Sequence, residues 1–204
     1  LEKILKRTVL IENDANCFAI SEAFDGAGSK AHTVFGVILG TGVGAGIVIG
    51  KKLHKGKNKI AGEWGHNPLP WANEGELPGK KCYCGRTGCL ETFISGPAIE
   101  REFKNLHGRN LNMKNIVKES REGNLKAEQV IKNLEDRLAR ALAHVINILD
   151  PDTIVLGGGL SNIDRLYSNV PKIWAEYIFS DDVSTVLSKA RFGDSSGVRG
   201  AAWL

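Results

Sequence analysis

Three of the four cysteines of this chain lie within eight residues, inside a stretch, 60–90, that has neither an alternating nor a helical apolar pattern. An apolar core cannot order a segment of this kind by itself. A nearby histidine completes a set of three thiols and one imidazole, which Zn²⁺ binds as a closed tetrahedron with no position left for water. The set consists of His66, Cys82, Cys84 and Cys89. The spacing therefore predicts a structural zinc site that orders the loop 62–92.

The cysteine cluster could also consist of ordinary reduced thiols, or form a disulfide. The first ten residues lack the apolar stretch and the small-residue cleavage site of a signal peptide. We therefore expect a cytoplasmic, reducing environment, in which a metal site is favoured over a disulfide. Cys17 lies far from the cluster on a predicted helix and is interpreted as a small buried side chain.

The composition is that of an ordinary globular protein and excludes several other classes. Apolar residues make up 42% and charged residues 25% of the 204 residues, which excludes a disordered, collagen-like or coiled-coil chain. The longest apolar run, 37–49, is interrupted by glycines and is shorter than a membrane-spanning helix requires. The formal net charge of +4 is spread along the chain, so the charge pattern does not indicate a nucleic-acid surface. The basic stretch 51–59 is interpreted as a solvated loop, with a phosphate-binding patch as the alternative.

The order of the apolar patterns predicts an α/β fold with one mixed sheet flanked by helices. A short apolar stretch at 9–12 is interpreted as a strand that leads into a helix. β-Rich runs at 33–39 and 46–49, with a third near residue 53, predict an antiparallel meander. The later elements are helices at 97–106, 113–122 and 126–149, a strand at 153–156, a helix from 164, a strand at 184–188 and a helix from 197.

Glycine is abundant, with 24 residues, and two of its clusters follow predicted strands. The first cluster comprises Gly40, Thr41, Gly42, Gly44 and Gly46. Backbone N–H groups in such a hairpin could converge on a phosphate, although the pattern taken alone favours a tight turn without a ligand. It is neither a Walker loop nor a Rossmann fingerprint, because no lysine follows and the next element is a strand. The second cluster, Gly157, Gly158 and Gly159, lies between a strand and a helix, where a nucleotide could be bound.

Three acidic residues occur where carboxylates could bind the hydroxyl groups of a ligand. Asp14 lies at the start of a predicted helix, where an aspartate is commonly the N-cap but could also take a proton from a substrate hydroxyl. Glu63 and Glu91 flank the predicted metal ligands. Carboxylates held in place by a metal site suit the recognition of adjacent sugar hydroxyls, and solvent-exposed glutamates are the alternative.

Taken together, these motifs resemble the ROK family of sugar kinases and sugar-responsive repressors over nearly the whole chain. The motifs are NDANC from residue 13, LGTGVGAG from 39, GEWGH from 62, CYCGRTGCLE from 82, and the segment from Asp150-Pro151 to Gly157-Gly158-Gly159. Three further segments are most similar to the fructokinase, or manno(fructo)kinase, branch of the family. They are NPLPW from residue 67, ETFISG from 91 and GDSSGVRGAAW from 193.

The resemblance implies an actin-like, ribonuclease-H-like fold that holds ATP between two lobes, with a hexose deeper in the cleft. Asp14 would be the general base for the 6-hydroxyl of the sugar, in a reaction in which Mg²⁺ neutralises phosphoryl charge. The other sugar-binding residues would be Asn13, Glu63, His66 and Glu91, and His66 would also ligate zinc. The hairpin 40–46 would bind the ATP phosphates, and 157–159 would contact the adenosine. Fructose is the expected substrate, with mannose as a second sugar, and the family resemblance implies a homodimer.

The sequence departs from the family pattern in one large respect. Members carry an Asp-x-Gly-Gly-Thr-Lys phosphate loop in a first lobe, and no such motif occurs here. We therefore expect residues 1–204 to form the carboxy-terminal lobe of a kinase, with little or no activity alone. The alternative is the effector-binding domain of a ROK repressor, which would act on nucleic acid, and a zinc-bound sugar-binding domain without catalysis is a third hypothesis. The hairpin and the intact Asn13-Asp14 pair favour the kinase.

Overall fold

The computed structural model describes residues 1–204, apart from the side chain of Asp194. A five-stranded sheet with the strand order β3-β2-β1-β4-β5 forms its centre. The strands are β1 (Thr33–Leu39), β2 (Val43–Ile49), β3 (Lys52–Leu53), β4 (Thr153–Gly157) and β5 (Val186–Lys189). Strand β1 pairs antiparallel with β2 and parallel with β4, so the sheet contains both kinds of strand pairing, with β1 between them. The predicted mixed sheet is confirmed.

Helices cover both faces of this sheet. They are α1 (Glu2–Leu5), α2 (Asp14–Phe24), α3 (Glu91–Ile94), α4 (Gly96–His107), α5 (Met113–Arg121), α6 (Leu125–Leu149), α7 (Leu166–Trp174) and α8 (Ser196–Ala201). Short 3₁₀ turns occur at Trp64–His66, Gly159–Asn162 and Gly193–Ser195. Most boundaries lie within two residues of the prediction, because caps and prolines mark them in the sequence. None of the helices in the described chain combines the length and the hydropathy that a bilayer crossing requires.

The longest helix, α6, packs its apolar stripe across one face of the sheet. Asn124 begins the helix by accepting hydrogen bonds from two N–H groups of the first turn, and Asp150 ends it in the left-handed conformation, with φ at 47°. The leucines at the centre of the stripe are buried in the same cluster as the inner side chains of β1. Burial of each such side chain contributes roughly 1.5–3 kcal/mol. These leucines are Leu134, Leu138 and Leu142.

The opposite face of the sheet is covered by α2, which lies very close to β1 and β2. Gly36 and Gly46 are opposite each other in the strand pair, and a Cβ at either would lie 2.7–2.8 Å from the methyl group of Ala19. Helix α8 packs equally closely on α2, because a Cβ at Gly200 would collide with the carbonyl of Cys17. Cys17 is buried between these helices, which confirms its interpretation as a packing residue. Glycine at these positions thus sets the separation of the layers.

The strand predicted at 9–12 does not form. Residues 8–13 have no regular secondary structure, and the side chains of Leu10 and Ile11 are 63% and 84% exposed. A strand requires a partner for its N–H and C=O groups, and no strand pairs with this segment in the part of the chain that the structure describes. The apolar stretch therefore leads into α2 as an extended segment.

Candidate active site

Two cavities meet at the β1–β2 hairpin, at the carboxyl end of the central strand. The large cavity has a volume of about 1100 Å³ and lies between the hairpin, α4, α5 and the turn after β4. The polar cavity has a volume of about 340 Å³ and lies between the hairpin, the start of α2 and the loop 62–83. Gly40 and Thr41 line both cavities. Ligands of open α/β sheets commonly bind at the carboxyl ends of strands, so this junction is the candidate active site.

The polar cavity brings together four of the five residues that the family resemblance assigned to the sugar. These residues are Asn13, Asp14, Glu63 and His66. They come from two separate segments, the first turn of α2 and the 3₁₀ turn Trp64–His66 with the residue before it. Tyr83 also lines the polar cavity, although no sequence motif predicted a role for it. Its position between two metal ligands was the signal that could have drawn attention to it.

Asn13, rather than Asp14, caps helix α2. The side-chain oxygen of Asn13 accepts hydrogen bonds from the N–H groups of Ala15 and Asn16, at 2.8 and 3.4 Å. Asp14 is exposed, and its Oδ1 lies 2.8 Å from the N–H of Ala15. A carboxylate in the first turn is stabilised by the helix dipole. Because the cap is provided by its neighbour, Asp14 has a carboxylate oxygen free for a ligand in the cavity.

Two glycines of the GEWGH motif allow the loop that carries Glu63 to lie directly on β2. A Cβ at Gly62, where φ is 96°, would collide with the carbonyl of Ala45, and a Cβ at Gly65 would collide with that of Val43. The Gly62 carbonyl also accepts a hydrogen bond from the N–H of Ala45 at 3.2 Å. The close approach holds Glu63 beside the hairpin.

Glu91 contacts the hairpin backbone instead of the polar cavity. Its Oε2 accepts a hydrogen bond from the N–H of Val43 at 2.9 Å, and a Cβ at Gly42 would lie 2.8 Å from the same oxygen. Gly40 donates its own N–H to the carbonyl of Gly42 at 3.0 Å. These bonds fix the hairpin conformation, and Gly40 and Thr41 are the hairpin residues that line both cavities.

The predicted nucleotide-binding glycines have different roles in the structure. Gly159 lines the large cavity and Gly44 lines the polar cavity. Gly157 is buried where a Cβ would collide with the ring of Phe18, and Gly158, with φ at 78°, lies against the carbonyl of Leu39. Gly46 packs under α2. Packing in the sheet therefore accounts for Gly46, Gly157 and Gly158.

The large cavity combines apolar and basic side chains that no sequence motif indicated. The apolar lining comes from Pro97, Met113, Val117, Leu160 and Ile163, the basic lining from Lys114, Lys118 and Arg121, and an acidic part from Glu100 and Glu122. Most of these residues lie on α5, whose apolar and charged residues alternate with helical period. A cavity with an apolar body and a few polar groups suits a small molecule with a planar ring and a charged end.

The four predicted metal ligands form one cluster beside the polar cavity. Their ligand atoms all lie within 4.8 Å of one another. Nδ1 of His66 is 3.6 Å from Sγ of Cys82, and the Sγ atoms of Cys84 and Cys89 are also 3.6 Å apart. A tetrahedral zinc ion with bonds of about 2.0–2.3 Å requires separations of roughly 3.5–3.8 Å. The cysteines are free thiols in the structure, so the donor set fits zinc without a disulfide.

The electrostatics of the cluster also favour a cation. Burial, followed by the neighbouring thiols of Cys84 and Cys82, raises the pKa of Cys89 to about 12, because ionisation would cost the thiolate its hydration and place it beside other sulfur atoms. A bound divalent ion reverses this effect and deprotonates its thiol ligands. Nε2 of His66 lies 3.0 Å from the hydroxyl of Tyr83, which is the kind of outer contact that orients a ligating histidine.

A buried ion-pair network holds the remainder of the loop against α6. Arg140, only 2% exposed, donates hydrogen bonds to the carbonyls of Pro70 and Trp71 and to the carboxylate of Glu76. Burial alone would raise the pKa of Glu76, but the hydrogen bonds from Arg140 and Arg137 hold it below its ordinary value. The loop is thus anchored at a second place, which no sequence pattern predicted.

Comparisons with known proteins identify the class of protein to which this fold, the hairpin and the cluster of predicted metal ligands belong. The sequence profile of the ROK family matches residues 1–204, and the chain belongs to this family. Its fold is the actin-like ATPase fold, as predicted. An N-acetyl-D-glucosamine kinase of Vibrio cholerae is 41% identical over 208 residues, which cover 100% of this chain and 69% of that protein.

Three solved structures extend this similarity. A ROK hexokinase from Thermus thermophilus has a TM-score of 0.88 at 31% identity and is covered over 66% of its length by 99% of this chain. A Streptomyces griseus ROK glucokinase in complex with glucose and AMPPNP has a TM-score of 0.84 at 28% identity, with 98% of this chain and 69% of that one covered. A ROK transcriptional regulator, a homologue of the Escherichia coli MLC protein, also has a TM-score of 0.84, at 27% identity. The match covers 98% of this chain and 52% of the regulator. The similarity to sugar kinases thus extends over the whole chain, while the predicted fructokinase branch is not confirmed.

Proposed function

We propose that this chain forms the part of an ATP-dependent ROK hexose kinase that carries the catalytic base. One observation carries the proposal: the cavity that contains Asp14 and the cavity suited to a nucleotide meet at Gly40 and Thr41. A phosphoryl transfer needs the acceptor hydroxyl and the terminal phosphate at one point. The shared hairpin provides that point.

In the proposed reaction Asp14 accepts the proton of the attacking sugar hydroxyl. The hydroxyl oxygen forms a bond to the terminal phosphorus of ATP, and ADP leaves with the electrons of the broken P–O bond. Asn13 places Asp14 by capping α2 and has its amide group available for a sugar oxygen. Mg²⁺, when bound with ATP, would supply neutralisation of phosphate charge. The N–H groups of Thr41 and Gly42 would bind phosphate oxygens at the cavity junction.

The chain alone is proposed to be incomplete as a kinase. It spans 69% of the length of the Vibrio cholerae relative and 66% of that of the Thermus thermophilus hexokinase, and it lacks the phosphate-loop motif. Residues 1–204 would then be the carboxy-terminal lobe, and kinase assays require the complete two-lobed protein. Homodimer formation and a cytoplasmic location stay predictions.

N-Acetyl-D-glucosamine is the first substrate to test, because it is the sugar named in the curated relative that is 41% identical. Fructose, mannose and glucose belong in the same panel, since three sequence segments resembled the fructokinase branch. The sugar with the largest kcat/KM identifies the substrate. A wild-type protein that phosphorylates none of these sugars would contradict the proposed function.

Replacement of the base tests the mechanism. We expect Asp14→Asn to lower kcat by about 10²–10⁴-fold, because the amide cannot accept the proton. Asp181→Asn, on the exposed surface, is the matched control and should retain wild-type kcat. Circular dichroism should show both variants folded. If Asp14→Asn turned over at the rate of its control, Asp14 would not be the base.

The effector-binding domain of a repressor is the second candidate, since the fold matches a ROK transcriptional regulator as well as a glucokinase. A nucleotide-binding measurement separates the two candidates. The kinase requires that the large cavity bind AMPPNP in the complete protein, whereas a sugar-sensing domain requires only the sugar. Binding of the sugar without AMPPNP, together with DNA binding, would favour the repressor.

A further inference from the structure

Glu12 binds the chain on both sides of Asp14, at the point where α2 begins. The chain before α2 has no regular secondary structure. One carboxylate oxygen of Glu12 accepts hydrogen bonds from the N–H of Asn13 and from the side-chain amide of Asn16, both at 3.0 Å. The other oxygen pairs with the ammonium group of Lys55. The cap of α2 and its first turn are thus connected to a lysine from another part of the fold.

The ion pair of Glu12 and Lys55 is partly removed from solvent. The side chain of Glu12 is only 11% exposed, and that of Lys55 is 50% exposed. Burial raises the pKa of the Glu12 carboxyl, but the hydrogen bonds from Lys55, Asn16 and Asn13 outweigh this effect and hold the pKa below its ordinary value. A carboxylate that accepts bonds from three donors has a fixed position, unlike the mobile partners of an exposed surface pair.

Lys55 reaches this carboxylate from the side of the sheet. It lies two residues after β3, and the residue before it is bonded to β2 by a backbone hydrogen bond of 2.8 Å. The carbonyl of Lys55 accepts a hydrogen bond from the N–H of Ala61 at 3.3 Å, and Glu63 follows two residues later. Lys55 therefore connects the segment that carries Asp14, through its side chain, with the segment that carries Glu63, through its backbone.

No second polar contact of this kind holds the segment 8–13. Among the residues that the structure describes, no other hydrogen bond or ion pair joins this segment to the sheet or to residues 51–66. Apolar packing against Gly46 places α2 as a whole. The ends of helices fray, however, and Asp14 lies in the first turn. The pair of Glu12 and Lys55 is what holds this turn.

We propose that Lys55 is a positioning residue for the catalytic base: it acts through Glu12 to hold the Asp14 carboxylate within hydrogen-bond reach of the sugar hydroxyl. This inference rests on the proposed function, because it requires that Asp14 be the base. A general base acts at about 2.6–3.2 Å from the oxygen that it deprotonates. Misplacement of a reacting group by about 1 Å lowers the rate by up to roughly 10²-fold, so loss of the pair lowers turnover.

The test is the Lys55→Met variant, which keeps most of the aliphatic side chain and removes the charge. We expect its kcat for the preferred hexose, measured in the complete protein, to be about tenfold lower, with the Kd of AMPPNP unchanged. Lys55→Arg keeps the cation and should retain most of the wild-type kcat. Lys57→Met, in the same exposed loop, is the matched control and should have the wild-type kcat.

Combination with a variant of the base separates positioning from general support of the structure. If Lys55 acts through Asp14, Lys55→Met should not lower the residual kcat of Asp14→Asn any further, because the group that it positions is already inactive. A tenfold loss in that background as well would show that Lys55 supports the structure rather than the base. Glu12→Gln should also lower kcat, and its combination with Lys55→Met should be no slower than Lys55→Met alone.

Two further outcomes would overturn the inference. Equal kcat in Lys55→Met and Lys57→Met would show that the ion pair does not position the base, while the proposed kinase function would stand. If circular dichroism showed that Lys55→Met does not fold, Glu12→Gln would provide the same test from the other side of the pair, and wild-type kcat in that variant would contradict the inference. A wild-type protein that phosphorylated no hexose would contradict the proposed function itself, so the two failures are distinguishable.

Discussion

Glu91 illustrates how one carboxylate can connect two parts of a site. It begins α3 two residues after the ligand Cys89, and it binds the backbone N–H of Val43 in the hairpin. The side chain of Glu91 therefore adds a direct link between the loop 62–92 and the hairpin between the cavities. A hydrogen bond from an N–H group to a charged acceptor contributes about 1.5–3 kcal/mol. Glu91 is thus a positioning residue of the hairpin.

We expect Glu91→Ala to weaken AMPPNP binding about tenfold, because the hairpin loses the acceptor that fixes Val43. Glu91→Gln is the matched control, since its amide oxygen can still accept this bond and should retain most of the affinity. Calorimetric titration of both variants in the complete protein checks the prediction. If Glu91 served only the sugar, both variants would change the KM of the sugar and leave the Kd of AMPPNP unchanged, which would contradict the prediction.

The loop 62–92 shows how an element without a core of its own becomes ordered. The predicted metal ligands form a cluster in one part of the loop. Arg140, through Glu76 and two backbone carbonyls, holds another part against α6. Buried charges of this kind are strongly destabilising when one partner is removed. The ligand set was recognisable from cysteine spacing, but Arg140 is one of many charged residues on a long helix. Its partner could be found only once the loop was folded.

We expect about one equivalent of zinc in protein purified without chelators, measured by atomic emission. Cys89→Ser should lose the metal and lower Tm, because structural zinc binding contributes directly to folding. Cys17→Ser is the control, since this cysteine lies between helices away from the cluster and should leave the zinc content unchanged. Full zinc content in Cys89→Ser, or a metal-free wild type with four titratable thiols, would contradict the site.

At the scale of the whole molecule, ion pairs and a hydrogen bond connect α6 with the neighbouring helices α5 and α7. Arg165, before α7, donates to the carboxylates of Glu128 and Glu135 on α6 at 2.6–3.1 Å. The hydrogen bonds from Arg165, with a further one from Ser120, lower the pKa of Glu128 from 4.5 to about 2. Folding therefore favours the ionised carboxylate, and α5, α6 and α7 are held together by it.

This shift predicts the direction of the pH dependence of stability. The native pKa of Glu128 lies below its ordinary value, so its contribution is complete above about pH 4.5 and is lost as the pH falls toward 2. Urea unfolding at several pH values should show the free energy of unfolding decreasing across this range. Arg165→Met should flatten that dependence, whereas Glu122→Gln, in an exposed pair with Lys118, should not. An equal slope in Arg165→Met and wild type would contradict the assignment.

The mixed sheet, the metal ligands and the residues at the start of α2 were predictable from the chain alone, because local periodicity, ligand chemistry and capping are properties of short segments. Long-range packing settled which members of each motif line a cavity. Gly46 and Gly157 lie under α2, Glu91 holds the hairpin, and Asn13 rather than Asp14 is the cap. Strand pairing and helix packing select one face of every motif for the interior and the other for the cavity. Which face this is depends on contacts between residues far apart in the chain, and no local pattern contains that information.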